Sequence, residues 1–230
     1  MRLDKFICKS TELTRNDAKK LLKAKLVTVN DEIITSGAVK LAEDDVVKIE
    51  GEVISLIGHR YIMLNKPEDM ICSTIDEVYP SVLHLIDVER ASDLHIAGRL
   101  DVDTTGLVLI TDDGKWSHNI TSPNKDCNKT YRVITKIDIT DDMVKCLETG
   151  VELNNEKAPT KPATVAVIDN RQMLLTISEG KYHQVKRMLA AVGNKVIELH
   201  REKIGSITLD DELDFGQWRY LSEDEIALFT

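Results

Sequence analysis

The chain has 230 residues, of which 42% are hydrophobic and 30% are charged, and its formal net charge is −9. These fractions are typical of folded, soluble domains, and they exclude collagen-like, fibrous and intrinsically disordered chains. An acidic whole also disfavours a protein that coats nucleic acid without selectivity, because such proteins are usually basic overall. The length fits one large domain or two smaller ones.

The amino-terminal segment is locally basic. Residues 1–25 contain eight basic and three acidic side chains, a local charge of +5. Charges interrupt the apolar residues at the start, and no later run approaches the roughly 18 apolar residues of a membrane span. The four cysteines form no Cys-x-x-Cys pair, which fits neither a zinc site nor a disulfide framework. We therefore expect a cytoplasmic protein with reduced thiols and no membrane association.

Two short helices are predicted at the start of the chain, over residues 3–7 and 14–24, because apolar side chains recur there at helical spacing. Thr14 is a candidate amino-terminal cap for the second helix. Short alternating runs at residues 27–30 and 46–49 indicate strands. The segment up to about residue 53 is thus predicted to be a compact unit, followed by a boundary near Gly58.

The remainder of the chain is dominated by strand-like runs. They occur at residues 61–64, 107–111, 131–137, 163–168, 173–177 and 196–199. Helices are expected at residues 141–148 and 183–192, and Asp112-Asp113-Gly114 is expected to form a turn. Because the strands outnumber the helices that could connect parallel strands, we predict an α+β fold with a mixed or antiparallel sheet.

The basic residues of the second predicted helix are open to two interpretations. Arg15, Lys19 and Lys23 recur at four-residue spacing and share one face, which is often only the solvated side of an amphipathic helix. The same stripe could instead follow a phosphate backbone. In that case the predicted RNA-binding residues of this segment are Arg2, Lys5, Arg15, Lys19, Lys20 and Lys23.

Residues 1–53 resemble a small RNA-binding domain that a small-subunit ribosomal protein, tyrosyl-tRNA synthetases and several RNA-modifying enzymes share. The resemblance is carried by Arg2-Leu-Asp-Lys-Phe-Ile7, by the Thr14 segment and by residues 22–30. It implies that the two helices and the following β-turn form the RNA-facing αL motif of that domain. This part of the resemblance indicates binding and does not identify a reaction.

The remaining residues resemble the pseudouridine synthases, and four motifs occur in the order expected for that family. The motifs are Met63-Leu-Asn-Lys-Pro67, Gly98-Arg-Leu-Asp-Val-Asp-Thr-Thr-Gly106, Lys129-Thr-Tyr-Arg-Val133 and Glu179-Gly-Lys-Tyr-His-Gln-Val-Lys-Arg-Met188. Residues 116–123, 155–157 and 199–205, with the amino-terminal domain, narrow the resemblance to the RsuA family. It implies an RNA-binding domain over residues 1–58 and a catalytic domain over residues 59–230.

The resemblance implies isomerisation of one uridine of 16S ribosomal RNA to pseudouridine, without a cofactor or a metal. The expected partner is ribosomal RNA, within a small-subunit assembly intermediate, and the enzyme is expected to be a monomer. Two alternatives remain: the same reaction on 23S ribosomal RNA, and a ribosome-binding or assembly factor without catalytic activity. The sequence contains no HExxH, Walker or GxGxxG motif, and Asp103-Thr-Thr-Gly106 lacks the second aspartate loop of an aspartic protease.

By the same resemblance, Asp101 is the essential carboxylate, Lys186 forms its salt bridge and Tyr131 stacks on the flipped uracil. The reaction requires a carboxylate near C1′ and C2′, which either attacks C1′ or removes a C2′ proton, and both routes stay open. Many relatives carry arginine in place of Lys186. A lysine ammonium is less able than an arginine guanidinium to bind both oxygens of a carboxylate. Without the motifs, residues 101–106 would be interpreted as a polar turn and Tyr131 as core packing.

A second group of residues is predicted to hold RNA near the reacting base. Arg99 is expected to support the motif loop or to bind the RNA backbone. Further basic and polar residues cluster at the start of the predicted helix 183–192, where a helix amino terminus favours phosphate. The predicted RNA-binding residues of this domain are Arg99, Lys181, His183, Gln184 and Arg187.

Overall fold

The computed structural model describes residues 1–230, and its chain divides into two compact units. The first unit comprises residues 1–59 with residues 88–91, and the second comprises residues 60–87 with residues 92–230. No sequence pattern predicts that the short segment 88–91 belongs to the first unit. It belongs to the first unit because Arg90 donates hydrogen bonds to the carbonyl of Cys8 and to the carboxylate of Glu12. Every helix is too short or too polar to cross a lipid bilayer.

The first unit packs two helices on a small antiparallel sheet. Its elements are α1 (Leu3–Ser10), α2 (Arg15–Lys23), β1 (Val27–Val29), β2 (Glu32–Ile33), β3 (Val47–Ile49) and β4 (Glu52–Ile54), with strand order β2-β1-β3-β4. Both predicted helices are present. Thr14 caps α2 by accepting a hydrogen bond from the Asp17 amide, and Asp17 accepts one in return from the Thr14 amide. Such a capping box stabilises a helix by about 1 kcal/mol.

The second unit is built on one nine-stranded mixed sheet. Its strands are β5 (Tyr61–Lys66), β6 (His95–Ala97), β7 (Thr105–Thr111), β8 (Lys129–Thr135), β9 (Thr164–Asp169), β10 (Gln172–Ile177), β11 (Val196–Ile204), β12 (Ile207–Thr208) and β13 (Trp218–Tyr220). Its helices are α3 (Gly114–Thr121), α4 (Asp141–Thr149), α5 (Gln184–Ala191) and α6 (Glu223–Ala227). The predicted α+β class is confirmed.

The sheet runs in the order β13-β5-β7-β11-β8-β10-β9, while β12 pairs with β11 and β6 pairs with β7. Only the central pair of β7 and β11 is parallel. Residues 107–110 are fully buried, as expected for a strand covered on both faces. Gly106 lets this pair approach closely: its φ is +102°, and a Cβ atom there would lie 2.4 Å from the carbonyl oxygen of Arg201.

The predicted turn at Asp112-Asp113-Gly114 is wrong in one respect, because a helix begins there. Asp113 caps α3 by accepting hydrogen bonds from the amides of Lys115 and Trp116 at 2.9 and 3.1 Å. Trp116 is 1% exposed and anchors this helix in the core. Local sequence favours a turn at Asp-Gly, whereas burial of the indole selects the helix.

Candidate active site

A tight loop between β6 and β7 presents the first candidate catalytic residue. The amide of Thr104 donates to the carbonyl of Asp101 at 3.1 Å, which closes a turn. The Asp101 side chain is 30% exposed. The polar-turn interpretation therefore describes the backbone correctly, but it does not account for the side chains that converge on this turn.

Lys186, on α5, bridges the two aspartates of the loop. Its Nζ atom lies 2.9 Å from Oδ2 of Asp101 and 2.6 Å from Oδ1 of Asp103. Burial lowers the pKa of Lys186, but hydrogen bonds from the ammonium to Asp103 and Asp101 outweigh it, and the net pKa is raised. Burial raises the pKa of Asp103, yet the hydrogen bond and the charge of Lys186, with smaller local contributions, together outweigh burial, and the net pKa is lowered. The ammonium is thus charged at neutral pH and holds one oxygen of Asp101.

His183 approaches the other oxygen of the same carboxylate. Its Nε2 atom lies 3.4 Å from Oδ1 of Asp101. The residue directly precedes α5, and its backbone is left-handed, with φ 47° and ψ 37°. Asp101 therefore has one firmly held oxygen and one that remains available to a substrate.

Tyr131 lies on β8, in register with Arg201 on β11. Residues opposite one another in an antiparallel pair share a face of the sheet. The Tyr131 hydroxyl lies 3.5 Å from Nη1 of Arg201, and the guanidinium carbon lies 5.9 Å from the ring centroid. The tyrosine is 9% exposed. Its link to the Asp101 loop passes through this arginine.

Sequence reasoning did not assign a role to Arg201, although it lies within one of the matching motifs. It is 2% exposed. Its guanidinium donates to the carbonyls of Leu107, Gly98 and Arg99 at 2.8, 2.7 and 3.4 Å. Its position in the middle of a central strand could have indicated such a role from sequence, because buried strand positions rarely carry a charge without a specific partner. Arg201 holds the chain on the amino-terminal side of Asp101.

Lys66 supports the loop from the other side. It is fully buried, and its ammonium donates to the carbonyls of Pro67, Val102 and Thr104 at 2.8, 3.3 and 2.9 Å. Burial lowers the pKa of Lys66, and nearby acidic groups oppose that shift. Two buried cations, Arg201 and Lys66, therefore fix the backbone before and after Asp101.

We expect Arg201→Met to destabilise the protein by about 2 kcal/mol, because buried carbonyls lose their donor. We also expect kcat/KM to fall by about tenfold or more, because the loop that carries Asp101 loses its support. Urea unfolding and an activity assay measure the two effects. Arg132→Met is the matched control, since Arg132 is part-exposed and pairs only with Glu202 at 2.5 Å. Equal behaviour of the two variants would contradict this role for Arg201.

Three residues predicted to bind RNA are instead engaged within the protein. Gln184 is 4% exposed, and its amide group donates to Glu179 and accepts from the Lys181 amide, each at 2.8 Å. Arg187 pairs with Glu156 at 3.0 Å, and the Lys181 ammonium lies 3.8 Å from the same glutamate. Binding of RNA by these three residues stays a prediction, and the structure shows Glu156 and Glu179 beside the cations of Lys181 and Arg187. The Arg99 side chain is exposed.

The basic residues of the first unit are exposed, as a binding role requires. Lys5, Arg15, Lys19 and Lys23 lie at the surface. Two others have acidic neighbours: Arg2 bonds to Asp4 at 2.7 Å, and Lys20 bonds to Asp17 at 3.0 Å. The face of α2 thus offers Arg15, Lys19 and Lys23 as its open charges. No three His, Cys, Asp or Glu side chains of the chain are arranged to hold a metal ion.

Comparison with known proteins agrees with this arrangement. The RNA pseudouridylate synthase family model matches residues 60–191, and the S4 domain model matches residues 1–47. The chain therefore belongs to the RNA pseudouridylate synthase family, with an amino-terminal S4 domain.

Relatives over the full length narrow the similarity. The chain is 54% identical over 228 residues to ribosomal small subunit pseudouridine synthase A of Vibrio vulnificus, covering 98% of each chain. It is 52% identical over 228 residues to the protein of that name from Escherichia coli, covering 99% of each. A pseudouridylate synthase crystal structure matches with 47% identity and a TM-score of 0.73, covering 100% of each chain. The resemblance seen in the motifs is confirmed.

Proposed function

We propose that this chain converts one uridine of 16S ribosomal RNA to pseudouridine, with Asp101 as the reacting carboxylate. The observation that carries the proposal is the ion pair of Asp101 with Lys186 at 2.9 Å on the motif loop. Full-length relatives named ribosomal small subunit pseudouridine synthase A support the choice of RNA. No particular feature favours the 23S substrate or a silent binding factor.

The reaction follows from the groups around the loop. The target nucleotide leaves its stack, which costs a few kcal/mol. The oxygen of Asp101 that Lys186 does not hold then attacks C1′ or removes a C2′ proton, and the bond from N1 to C1′ breaks. The detached uracil turns against the ring of Tyr131. C5 then bonds to C1′ as the bond from Asp101 to C1′ breaks or, on the other route, as Asp101 returns the proton to C2′, so that the carboxylate is regenerated. The C5 proton is released while N1 gains one. The conversion is redox-neutral, and its atoms balance without a co-reactant.

Lys186 and the buried cations serve this chemistry by holding charge and geometry in place. Lys186 holds one oxygen of Asp101 at 2.9 Å and places a positive charge beside the carboxylate. Arg201 and Lys66 fix the loop backbone through carbonyl oxygens. A site organised before the substrate arrives avoids reorganisation during the reaction.

In this proposal the first unit binds RNA through the open face of α2, which carries Arg15, Lys19 and Lys23. Replacing all three with glutamine is expected to raise KM for ribosomal RNA by about tenfold and to leave kcat unchanged. The dependence of log KM on log salt concentration should weaken by about 2 to 3, since each lost phosphate contact removes slightly less than one from that slope. Tritium-release kinetics between roughly 50 and 200 mM salt measure both quantities.

The matched control makes the same change of charge elsewhere. Lys136, Lys145 and Lys195 are exposed residues of the second unit, and their replacement by glutamine should leave KM and its salt dependence close to wild type. If both triple variants behaved alike, net charge rather than the α2 stripe would account for RNA affinity.

We further propose that the enzyme acts as a monomer in the cytoplasm, on a small-subunit assembly intermediate. The net charge of −9 opposes adhesion to bare RNA, and bound ribosomal proteins neutralise part of the phosphate charge. The molar mass of the purified protein, measured by light scattering, tests whether it is a monomer. Faster turnover on RNA with small-subunit proteins than on RNA alone would support the intermediate as substrate.

The deciding experiment is tritium release from C5-labelled transcripts. Release from 16S RNA, alone or with small-subunit proteins, is the expected result. Release from 23S RNA only would overturn the substrate assignment. Binding of both RNAs without release from either would overturn the reaction and favour a silent binding factor.

A further inference from the structure

The turn that precedes α5 carries an exposed aromatic stack. Tyr182 is 75% exposed, and its ring stacks on that of His183 with centroids 3.8 Å apart and an interplanar angle of 21°. His183 in turn lies 3.4 Å from the carboxylate of Asp101. The stack therefore begins beside the proposed reacting group, and its outer ring has a face open to solvent.

The backbone of this turn is firmly held. The Lys181 amide donates to the side chain of Gln184 at 2.8 Å, and the Gln184 amide donates to the Lys181 carbonyl at 3.2 Å. Arg187 donates to the carbonyl of Tyr182 at 3.1 Å. His183 has a positive φ of 47°, a conformation that is uncommon outside glycine. These contacts fix the position from which the Tyr182 ring projects.

Neither core packing nor phosphate binding accounts for this ring. A side chain so exposed contributes little to the core. The cations of the turn are neutralised, because Arg187 pairs with Glu156 and Lys181 lies within 4 Å of Glu156 and Glu179. What the turn offers to RNA is a flat aromatic face, and unpaired bases bind by stacking on such faces.

We infer that the outer face of Tyr182 stacks with the base of a nucleotide adjacent to the target uridine. The inference rests on the proposed function. When the target flips out, its neighbour loses a stacking partner, and the Tyr182 ring replaces it. The 3.8 Å spacing of the two rings is close to the roughly 3.4 Å rise of stacked bases. Tyr182 thereby stabilises the flipped state without reading which base it is.

Two variants of Tyr182 test the stacking directly. Tyr182→Ala is expected to lower kcat/KM for tritium release from 16S transcript by about tenfold. Tyr182→Phe keeps the flat ring and should stay within about twofold of wild type. Because the ring is exposed, the urea midpoint of both variants should match that of the wild-type protein.

A double-mutant cycle, in which Tyr182→Ala is combined with a change in the RNA, distinguishes two roles of Tyr182. The ring could stack on a base, or it could act only by holding His183 in position. Once the modified uridine is mapped, 16S fragments are made with an abasic nucleotide on its 5′ or its 3′ side. Stacking requires that one abasic substitution slow the wild-type enzyme by a factor similar to that of Tyr182→Ala, with no further loss when the two are combined. Equal slowing by Tyr182→Ala on intact and abasic RNA would overturn the inference, because Tyr182 would then act only through His183.

The outcomes also separate this inference from the proposed function. Tritium release by wild type, with Tyr182→Ala equally active on intact RNA, would overturn the stacking role and leave the reaction standing. Absence of release by wild type on every RNA would remove the proposed function and, with it, this inference.

Discussion

Replacing Asp101 with asparagine is expected to lower the rate of tritium release by at least about 10⁴-fold while the fold stays intact. Asparagine has nearly the same shape, but its amide neither attacks C1′ nor accepts a C2′ proton. Lys186 keeps its bond to Asp103 at 2.6 Å, so the cation is not left without an acceptor. Single-turnover kinetics with excess enzyme and a urea midpoint measure the two properties.

Asp103→Asn is the matched control for this prediction. Asp103 contacts the same ammonium, but its side chain is 65% exposed. We expect its replacement to slow the reaction less than about tenfold, because Lys186 still pairs with Asp101. Substantial turnover by Asp101→Asn would refute the role of Asp101, and equal losses in both variants would assign the reaction to the pair.

Replacing Lys186 with methionine is expected to reduce kcat by about 100-fold, an effect comparable to loss of one preorganised electrostatic contact. The lysine bridges two carboxylates, and its removal leaves them facing each other without a cation. Asp101 then loses the contact that holds its side chain, and the neighbouring carboxylate of Asp103 repels it. Lys186→Arg retains the charge and should recover most of the rate. A methionine variant with wild-type kcat would contradict the proposed role.

The pH dependence of stability provides an independent readout of this ion pair. The pKa of Lys186 is raised above its ordinary value of 10.5, because bonds to Asp103 and Asp101 outweigh the effect of burial. A group whose pKa rises on folding contributes stability at pH below its unfolded pKa, and that contribution is lost as pH rises through the folded value. The urea midpoint of wild type should therefore fall at pH above about 10.5 more steeply than that of Lys186→Met.

Most helices and strands of the fold could be predicted from the local pattern of apolar and polar residues. The helices at Leu3–Ser10 and Arg15–Lys23 follow from apolar spacing and from the Thr14 cap. The long strands of the second unit begin and end within a few residues of the alternating runs, apart from an extension of β11 to Ile204. Helix α3 was missed because its start depends on the burial of Trp116. That burial is set by distant parts of the chain, so it cannot be recognised from the residues around Trp116.

The candidate site was less visible from sequence. Motif resemblance pointed to Asp101, Tyr131 and Lys186, and the structure brings Lys186 to Asp101 although they are 85 residues apart. Gln184 is a polar residue of a type that often binds RNA, yet tertiary contacts bury it. Burial and ion pairing depend on distant chain segments, so residue type alone did not separate structural polar groups from those left open.

By itself, the sequence determined the family, the α+β class and the motif that contains Asp101, since these depend on residue identity and local order. The tertiary structure decided which charges are used inside the protein. Arg201 reaches the Gly98 carbonyl across 103 residues, and Arg187 is paired with Glu156. The physical reason is that the free energy of a charge depends on its burial and on its partners, and folding alone brings such partners together.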